Sequence, residues 1–307
     1  MVTEAQLKQK RLTTGTPRPC HRYHVIARTS AGVSAHGKLE LMPDSRAVAP
    51  RGVALVRRPG PRLAEGLVTH IPRRPVDVGL ARRQHEEYLA ALASHGWQVR
   101  VVAPADECPD SVFVEDTLVV CAGLAVVTRP GAPTRRSEVD AVEVAVRELG
   151  LDLARIEAPG TLDGGDVLQV GSAVYIGRSG RTNAEGIGQL QRLLSPLGRV
   201  VVPVPLREVL HLKSAVTALP DGTFLTWGDL IDASLFPSVL SVSEEPGAHV
   251  VPLGGQDVLI AASAPRTAQL VASLGYRPVV VDITEFERLE GCVTCLSVLI
   301  PTDGGWS

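Results

Sequence analysis

From Val53 to about residue 300, short apolar runs alternate with stretches whose apolar residues recur every three or four positions. Val53-Ala54-Leu55-Val56 reads as a buried strand that ends in a Pro/Gly loop. Residues 78–95 place Ala81, His85, Tyr88, Leu89 and Leu92 on one helical face, and Gly96 closes the helix. The pattern then predicts strands at 98–102, 111–120 and 124–128 and a helix at 137–149 ending at Gly150. Strands at 153–157, 166–170 and 173–177 follow, with a helix at 183–195 and strands at 199–203 and 211–217. A strand near 223–227 leads to a short helical piece at 229–236. The last cycle has strands at 248–252 and 257–261, a helix at 265–274, and strands at 278–282 and 295–300.

This is an α/β chain of about five units, each with two or three strands and one helix over roughly 50 residues, a period typical of radial or stacked repeats. An open doubly wound sheet is the alternative. Against it, no Gly-rich turn follows the first strand, and helices are too sparse to alternate strictly with strands. Residues 1–46 differ from the rest. They carry eight basic residues against three acidic ones and no sustained periodicity, which predicts an extension that is disordered or loosely packed. Met42, just ahead of the first strand, could be the native start, leaving 47–307 as a single catalytic domain.

Composition narrows the field. Of 307 residues, 45% are hydrophobic, enough for a full core, and the net charge of −2 gives no general attraction to nucleic acid or anionic membrane. No apolar run approaches the roughly 18–20 residues of a membrane span. The N-terminus lacks the apolar stretch of a secretory signal. Five cysteines without framework spacing argue for a reducing compartment, by default the cytoplasm.

Four clusters set polar groups among apolar ones. In Pro109–Asp116, strand periodicity would put Asp110, Val112, Val114 and Asp116 on one face and Glu115 on the other. Buried carboxylates there need a cation or donors, although ordinary turn and cap residues would explain them too. In Gly160–Asp166, two glycines between Asp163 and Asp166 permit close backbone approach or simply a tight turn. His211 lies in an apolar stretch, where a satisfied core histidine is the usual reading. Cys292 and Cys295 form C-x-x-C, which suits redox chemistry or half a zinc site. No second pair exists to complete zinc, and the motif leads into a strand rather than a helix. Together the clusters supply a thiol, an imidazole and surplus carboxylates, a set suited to amidine-like transfer on a cationic substrate.

The segments PDSVFVEDTLVV, TRPGAPTRR, TLDGGDVL, GRSGRTNAEG, LHLKSAVTALP and GCVTCLSVLI closely resemble dimethylarginine dimethylaminohydrolases, in unbroken order over about residues 52–300. Residues 1–46 fall outside the resemblance. It implies a five-bladed α/β propeller of pseudo-repeated ββαβ units, the fold of the guanidino-group-modifying, or pentein, superfamily. It also implies hydrolysis of asymmetric dimethylarginine or monomethylarginine to citrulline and the amine, with no metal or organic cofactor. Methylated arginine would be the small-molecule partner; whether copies associate is not deducible. By motif, Cys295 is the implied nucleophile, with Cys292 outside the chemistry, and His211 the general acid and base. Asp163 would hold the imidazole and contact the guanidinium, and Asp116 would bind it from the other side with Glu115 in support. Asp110 and the carbonyls of Leu67 and Leu289 would take the α-amino group, Arg135 and Arg181 the α-carboxylate.

An extended strand from Asp110 to Asp116 would span about 20 Å, too long for both to grip one amino acid, so the segment must bend or one must act indirectly. Three rivals remain: an arginine or agmatine deiminase of the same superfamily, a metal-dependent hydrolase using Asp110, Asp116, Asp163 and His211, and a non-catalytic arginine-binding protein. The chain is short for an arginine deiminase with its extra helical domain, and agmatine has no carboxylate for two arginines.

Overall fold

The computed structural model describes residues 51–302. The expectations for residues 1–46, and for Cys20 among them, lie outside the described residues. The strands form five three-stranded sheets. The first joins both ends of the described chain: β1 (Gly52–Val56) pairs antiparallel with β15 (Val298–Pro301) and parallel with β2 (Trp97–Val101). The second has β3 (Leu118–Cys121), β4 (Leu124–Val127) and β5 (Asp152–Arg155); the third has β6 (Val167–Val170), β7 (Ala173–Arg178) and β8 (Val200–Pro205). The fourth holds β9 (Val216–Ala218), β10 (Phe224–Thr226) and β11 (Val239–Ser241), and the fifth β12 (Val250–Gly254), β13 (Asp257–Ala261) and β14 (Arg277–Val281). Each central strand has one antiparallel and one parallel neighbour, the strand pattern of a ββαβ unit repeated five times.

A parallel pair needs a crossover, usually a helix. α1 (Val78–Ser94), α2 (Val139–Glu148), α3 (Ala184–Leu194) and α4 (Pro265–Ser273) serve four sheets, and the short α5 (Thr284–Glu287) follows β14. The fourth crossover has only a 3₁₀ turn, Ala233–Leu235, in place of the helix expected over 229–236. Asp232 caps this turn through the Ser234 amide, and Pro237 stands two residues beyond its end.

Five apolar cores lie between successive sheets, and strand alternation feeds them. Leu118 packs toward the first sheet with Val298 and Ile300, while its neighbour Val119 packs toward the third with Val167 and Val174. Leu168 and Tyr175 of the third sheet meet Val216 and Phe224 of the fourth. Leu225 meets Val258 and Ile260 of the fifth. Val251 and Leu259 then join Ala54, Val56 and Tyr88, which closes the ring. The first two strands of each blade are largely buried on both faces, which explains why their sequences read as apolar runs, whereas the outer strands β2, β5, β8, β11 and β14 are largely exposed or half-buried. The fold is a five-bladed α/β propeller.

The expected strands at 111–120 and 211–217 are shorter than their apolar patterns suggest. A 3₁₀ turn, Val114–Thr117, precedes β3, and another, Leu212–Ser214, precedes β9. Gly164–Asp166 does the same before β6, Glu245–Ala248 before β12, and residues 293–296 turn before β15. Every blade therefore turns just before its first strand, and four of the five turns hold the polar clusters.

Candidate active site

Cys295, in the last of these turns, is buried at 9% exposure. Its turn is fixed from outside: the fully buried Tyr88 on α1 donates to the Val293 carbonyl (2.9 Å) and bonds Ser297 (2.8 Å). The Cys295 carbonyl accepts from Glu115 N (3.3 Å), bringing the turn against the Val114–Thr117 turn. Cys292 Sγ lies 3.2 Å from Cys295 Sγ, and both are free thiols. The hydrogen bond to Cys292, burial and the carboxylates of Glu115 and Asp116 all push the Cys295 thiol up. The protein's own groups thus hold it protonated.

His211 precedes the Leu212–Ser214 turn and is fully enclosed. Its Nε2 bonds Asp163 Oδ2 at 3.1 Å, and its Nδ1 is 3.8 Å from Asp116 Oδ1. Burial opposes the imidazolium, but Asp116, Asp163 and Asp166 outweigh it and raise the pKa to about 9. Asp163 Oδ1 also accepts Gly131 N (2.8 Å), so both carboxylate oxygens are anchored. Asp166, which carried no assigned role, fixes His211 from behind: it accepts Leu212 N (2.9 Å) and Ser179 Oγ (2.6 Å). The two glycines between these aspartates permit close approach to the protein's own groups. A Cβ on Gly165 would lie 2.6 Å from His211 Nδ1, and one on Gly164 2.0 Å from the Glu115 carbonyl.

Asp116 sits between His211 and Arg135. Its Oδ1 accepts Gly165 N (3.0 Å) and its Oδ2 accepts Arg135 Nη1 (2.5 Å). Burial works against its charge, yet His211 and Arg135 prevail and lower its pKa to about 2. Arg135 is a hub. It also donates to Glu138 (2.8 Å from Nη2) and to the carbonyls of Asp110 (3.2 Å) and Phe113 (3.1 Å). One N–H on Nη1 is left without an acceptor among the described residues. The segment from Asp110 to Asp116 bends around this guanidinium, resolving the length problem of an extended strand. Glu138 had no assigned role; an acid three residues after Arg135 was its only sequence signal.

Glu115 faces the opposite way from Asp116. It accepts from Lys213 and from Thr294 Oγ1 (2.9 Å) at the end of a central cavity of about 530 Å³ lined by the first strands of the blades. Burial raises its pKa to about 7, partly offset by Lys213. Asp110 accepts Leu67 N (2.9 Å), and burial raises its pKa. A Cβ on Gly66 would lie 2.8 Å from Asp110 Oδ1 and 3.4 Å from Leu289 Cδ2, so Leu67, Asp110 and Leu289 share one corner. Arg181 Nη1 stands 3.6 Å from Asp163 Oδ2. Asp116, Asp163 and His211 could in principle offer ligand atoms to one metal ion. An imidazole that favours its proton and an Asp116 already paired with Arg135 make that a poor donor set.

Fold and site together define a guanidino-group-modifying α/β propeller of the pentein superfamily. No family model matches the chain. It is 61% identical to the N(G),N(G)-dimethylarginine dimethylaminohydrolase of Streptomyces coelicolor over 81% of this chain and 97% of that one. It is 35% identical to the enzyme of the same name from Pseudomonas aeruginosa, over 80% and 97%. A solved structure of that Pseudomonas protein, a serine-for-cysteine mutant complexed with citrulline, superposes with a TM-score of 0.76 at 34% identity, covering 82% of this chain and all of that one. The chain belongs to the dimethylarginine dimethylaminohydrolase family. An arginine dihydrolase domain at 18% identity (TM-score 0.70) shares the fold. No helix among the described residues is long and apolar enough to cross a membrane.

Proposed function

We propose that this chain hydrolyses Nω,Nω-dimethyl-L-arginine, and the Nω-monomethyl form, to L-citrulline and dimethylamine or methylamine, with Cys295 as nucleophile. The supporting observation is an imidazole held by Asp163 beside the ionised Asp116, a carboxylate that also acts on the Cys295 thiol, in a chain 61% identical to a relative of that name. Asp116 offers the charge that attracts and orients a guanidinium, with Glu115 behind it. Asp110 and the carbonyls of Leu67 and Leu289 take the α-amino group. Arg181 and the remaining N–H of Arg135 take the α-carboxylate.

The bound cation offsets the carboxylates that disfavour the Cys295 thiolate, so the thiol gives up its proton to solvent as substrate binds. Sulfur attacks the guanidinium carbon to give a tetrahedral adduct. His211, already protonated, donates its proton as the C–N bond to dimethylamine breaks, leaving an S-alkylthiouronium on Cys295. Neutral His211 then takes a proton from water as that water attacks the same carbon. The C–S bond breaks, the remaining hydroxyl proton passes to the departing sulfur to restore the thiol, and citrulline leaves. The four free thiols among the described cysteines support a reducing, cytoplasmic setting.

Citrulline release from dimethylarginine, monomethylarginine and arginine in parallel, with intact mass after a quench, tests this. The expected result is turnover of both methylated substrates with a transient adduct on Cys295. Turnover of arginine alone would make the chain a deiminase.

A further inference from the structure

Between Leu67 and Val76 the chain crosses the α-amino corner of the site without one backbone–backbone hydrogen bond. Side chains alone hold it. Asp110 takes the amide of Leu67, and Glu285 takes that of Asp77 (2.7 Å). Arg288 donates to the Pro75 carbonyl (2.6 Å). The densest tie is Glu290. Its carboxylate accepts the amides of Thr69 (3.0 Å), His70 and Ile71 (3.0 Å) and the hydroxyl of Thr69 (3.1 Å). The Glu290 side chain is only 5% exposed, whereas Thr69 and His70 lie at the surface. Its backbone has φ +62°, a left-handed conformation that disfavours a residue with a side chain. Glutamate at such a position, between Leu289 and the segment leading into the 293–296 turn, is there for its carboxylate.

We infer that Glu290 is a positioning residue that latches loop 67–71 over the amino-acid end of the substrate. Three neighbouring amides converging on one carboxylate make charge-assisted bonds, stronger than neutral ones and dependent on the negative charge. With the latch in place Leu67 is fixed at both sides, by Asp110 before it and by Glu290 two residues beyond. The loop then keeps water from the α-amino group and its carbonyl partners. Without the latch the loop keeps near the site only Asp110 on the Leu67 amide and Arg73 on the carbonyls of Ala64 (3.2 Å) and Gly66 (2.5 Å). Residues 69–71 are then released, the α-amino grip loosens, and the chemistry at Cys295 is untouched. The inference rests on the substrate reading above for its kinetic arm only.

The left-handed backbone supplies a clean test. Glu290→Gly removes the carboxylate and relieves the backbone, so it is expected to fold. In this variant amide hydrogen exchange at 69–71 accelerates at least tenfold while the strands keep wild-type protection. KM for dimethylarginine rises about tenfold, and kcat changes less than threefold. Glu290→Gln, which keeps one carbonyl acceptor, gives intermediate values for both. Unchanged exchange at 69–71 overturns the latch whatever the enzyme's substrate, and accelerated exchange with an unchanged KM overturns its role in binding. A lowered melting temperature with wild-type exchange in the loop and wild-type KM would make Glu290 merely structural and also overturns it. If wild-type protein fails to turn over dimethylarginine, the substrate reading falls and the exchange arm still decides the latch.

Discussion

A comparison of wild-type protein with a His211→Gln variant between about pH 6 and pH 9 probes the electrostatics on which the reaction depends. The imidazole is buried, which alone would lower its pKa, yet it faces Asp116, Asp163 and Asp166 and is raised from 6.5 to about 9. A folded-state pKa above the unfolded one means that folding favours the protonated form. The stabilisation is complete below about pH 6.5 and is lost as pH climbs toward 9. A shift of that size corresponds to roughly 3 kcal/mol, a large part of the ~5–15 kcal/mol that stabilises a typical domain. Glutamine cannot titrate, so the stability difference between the two proteins isolates the imidazole and the three carboxylates that face it. Urea unfolding at half-unit pH intervals measures it. The wild-type advantage is expected to shrink by about 3 kcal/mol from pH 6 to pH 9. Parallel stability curves across that window would refute the charged imidazole, and with it a histidine that enters the reaction as an acid.

Cys295→Ser and Cys295→Ala are expected to abolish citrulline formation while Cys292→Ser retains it; equal loss at both positions would remove the nucleophile assignment. Because its surroundings raise the Cys295 pKa, alkylation by iodoacetamide without substrate is expected to keep accelerating above pH 9, and a plateau near pH 7 would contradict that. Turnover should survive EDTA and be lost to iodoacetamide; the reverse would restore the metal-dependent reading. Arg135→Met leaves Asp116 and Glu138 buried without their cation and is expected to cost about 3–5 kcal/mol in urea unfolding, with a loss under about 1 kcal/mol counting against the hub.

The propeller was legible because its strands come as short apolar runs and its helices obey the 3.6-residue period. Leu118 and Val119 stand in such a run, both apolar because each faces a different core. The turns were not legible. Phe113–Thr117 has no glycine or proline to announce a 3₁₀ turn, and the guanidinium around which it bends belongs to Arg135, 19 residues away from Asp116. Motif order pointed to Cys295, His211 and Asp163, but nothing local to His211 revealed that Asp166 would brace it through the Leu212 amide. Glu290 escaped notice for the same reason, since its partners lie some 220 residues earlier. Groups that act through distant backbone leave little trace in a short window of sequence.

The pairing of β15 with β1 has a consequence for biosynthesis. The strand that seals the ring, Val298–Pro301, begins three residues after Cys295 and pairs with Gly52–Leu55 from the other end of the described chain. A growing chain can therefore shape four blades and every acidic group of the site before Cys295 is in place. The same short segment, Cys295 to Pro301, closes the ring of sheets and carries the thiol. A chain cut short before residue 298 would carry Cys295 on a turn with no strand to seat it. In this architecture, ring closure and the seating of Cys295 are a single event.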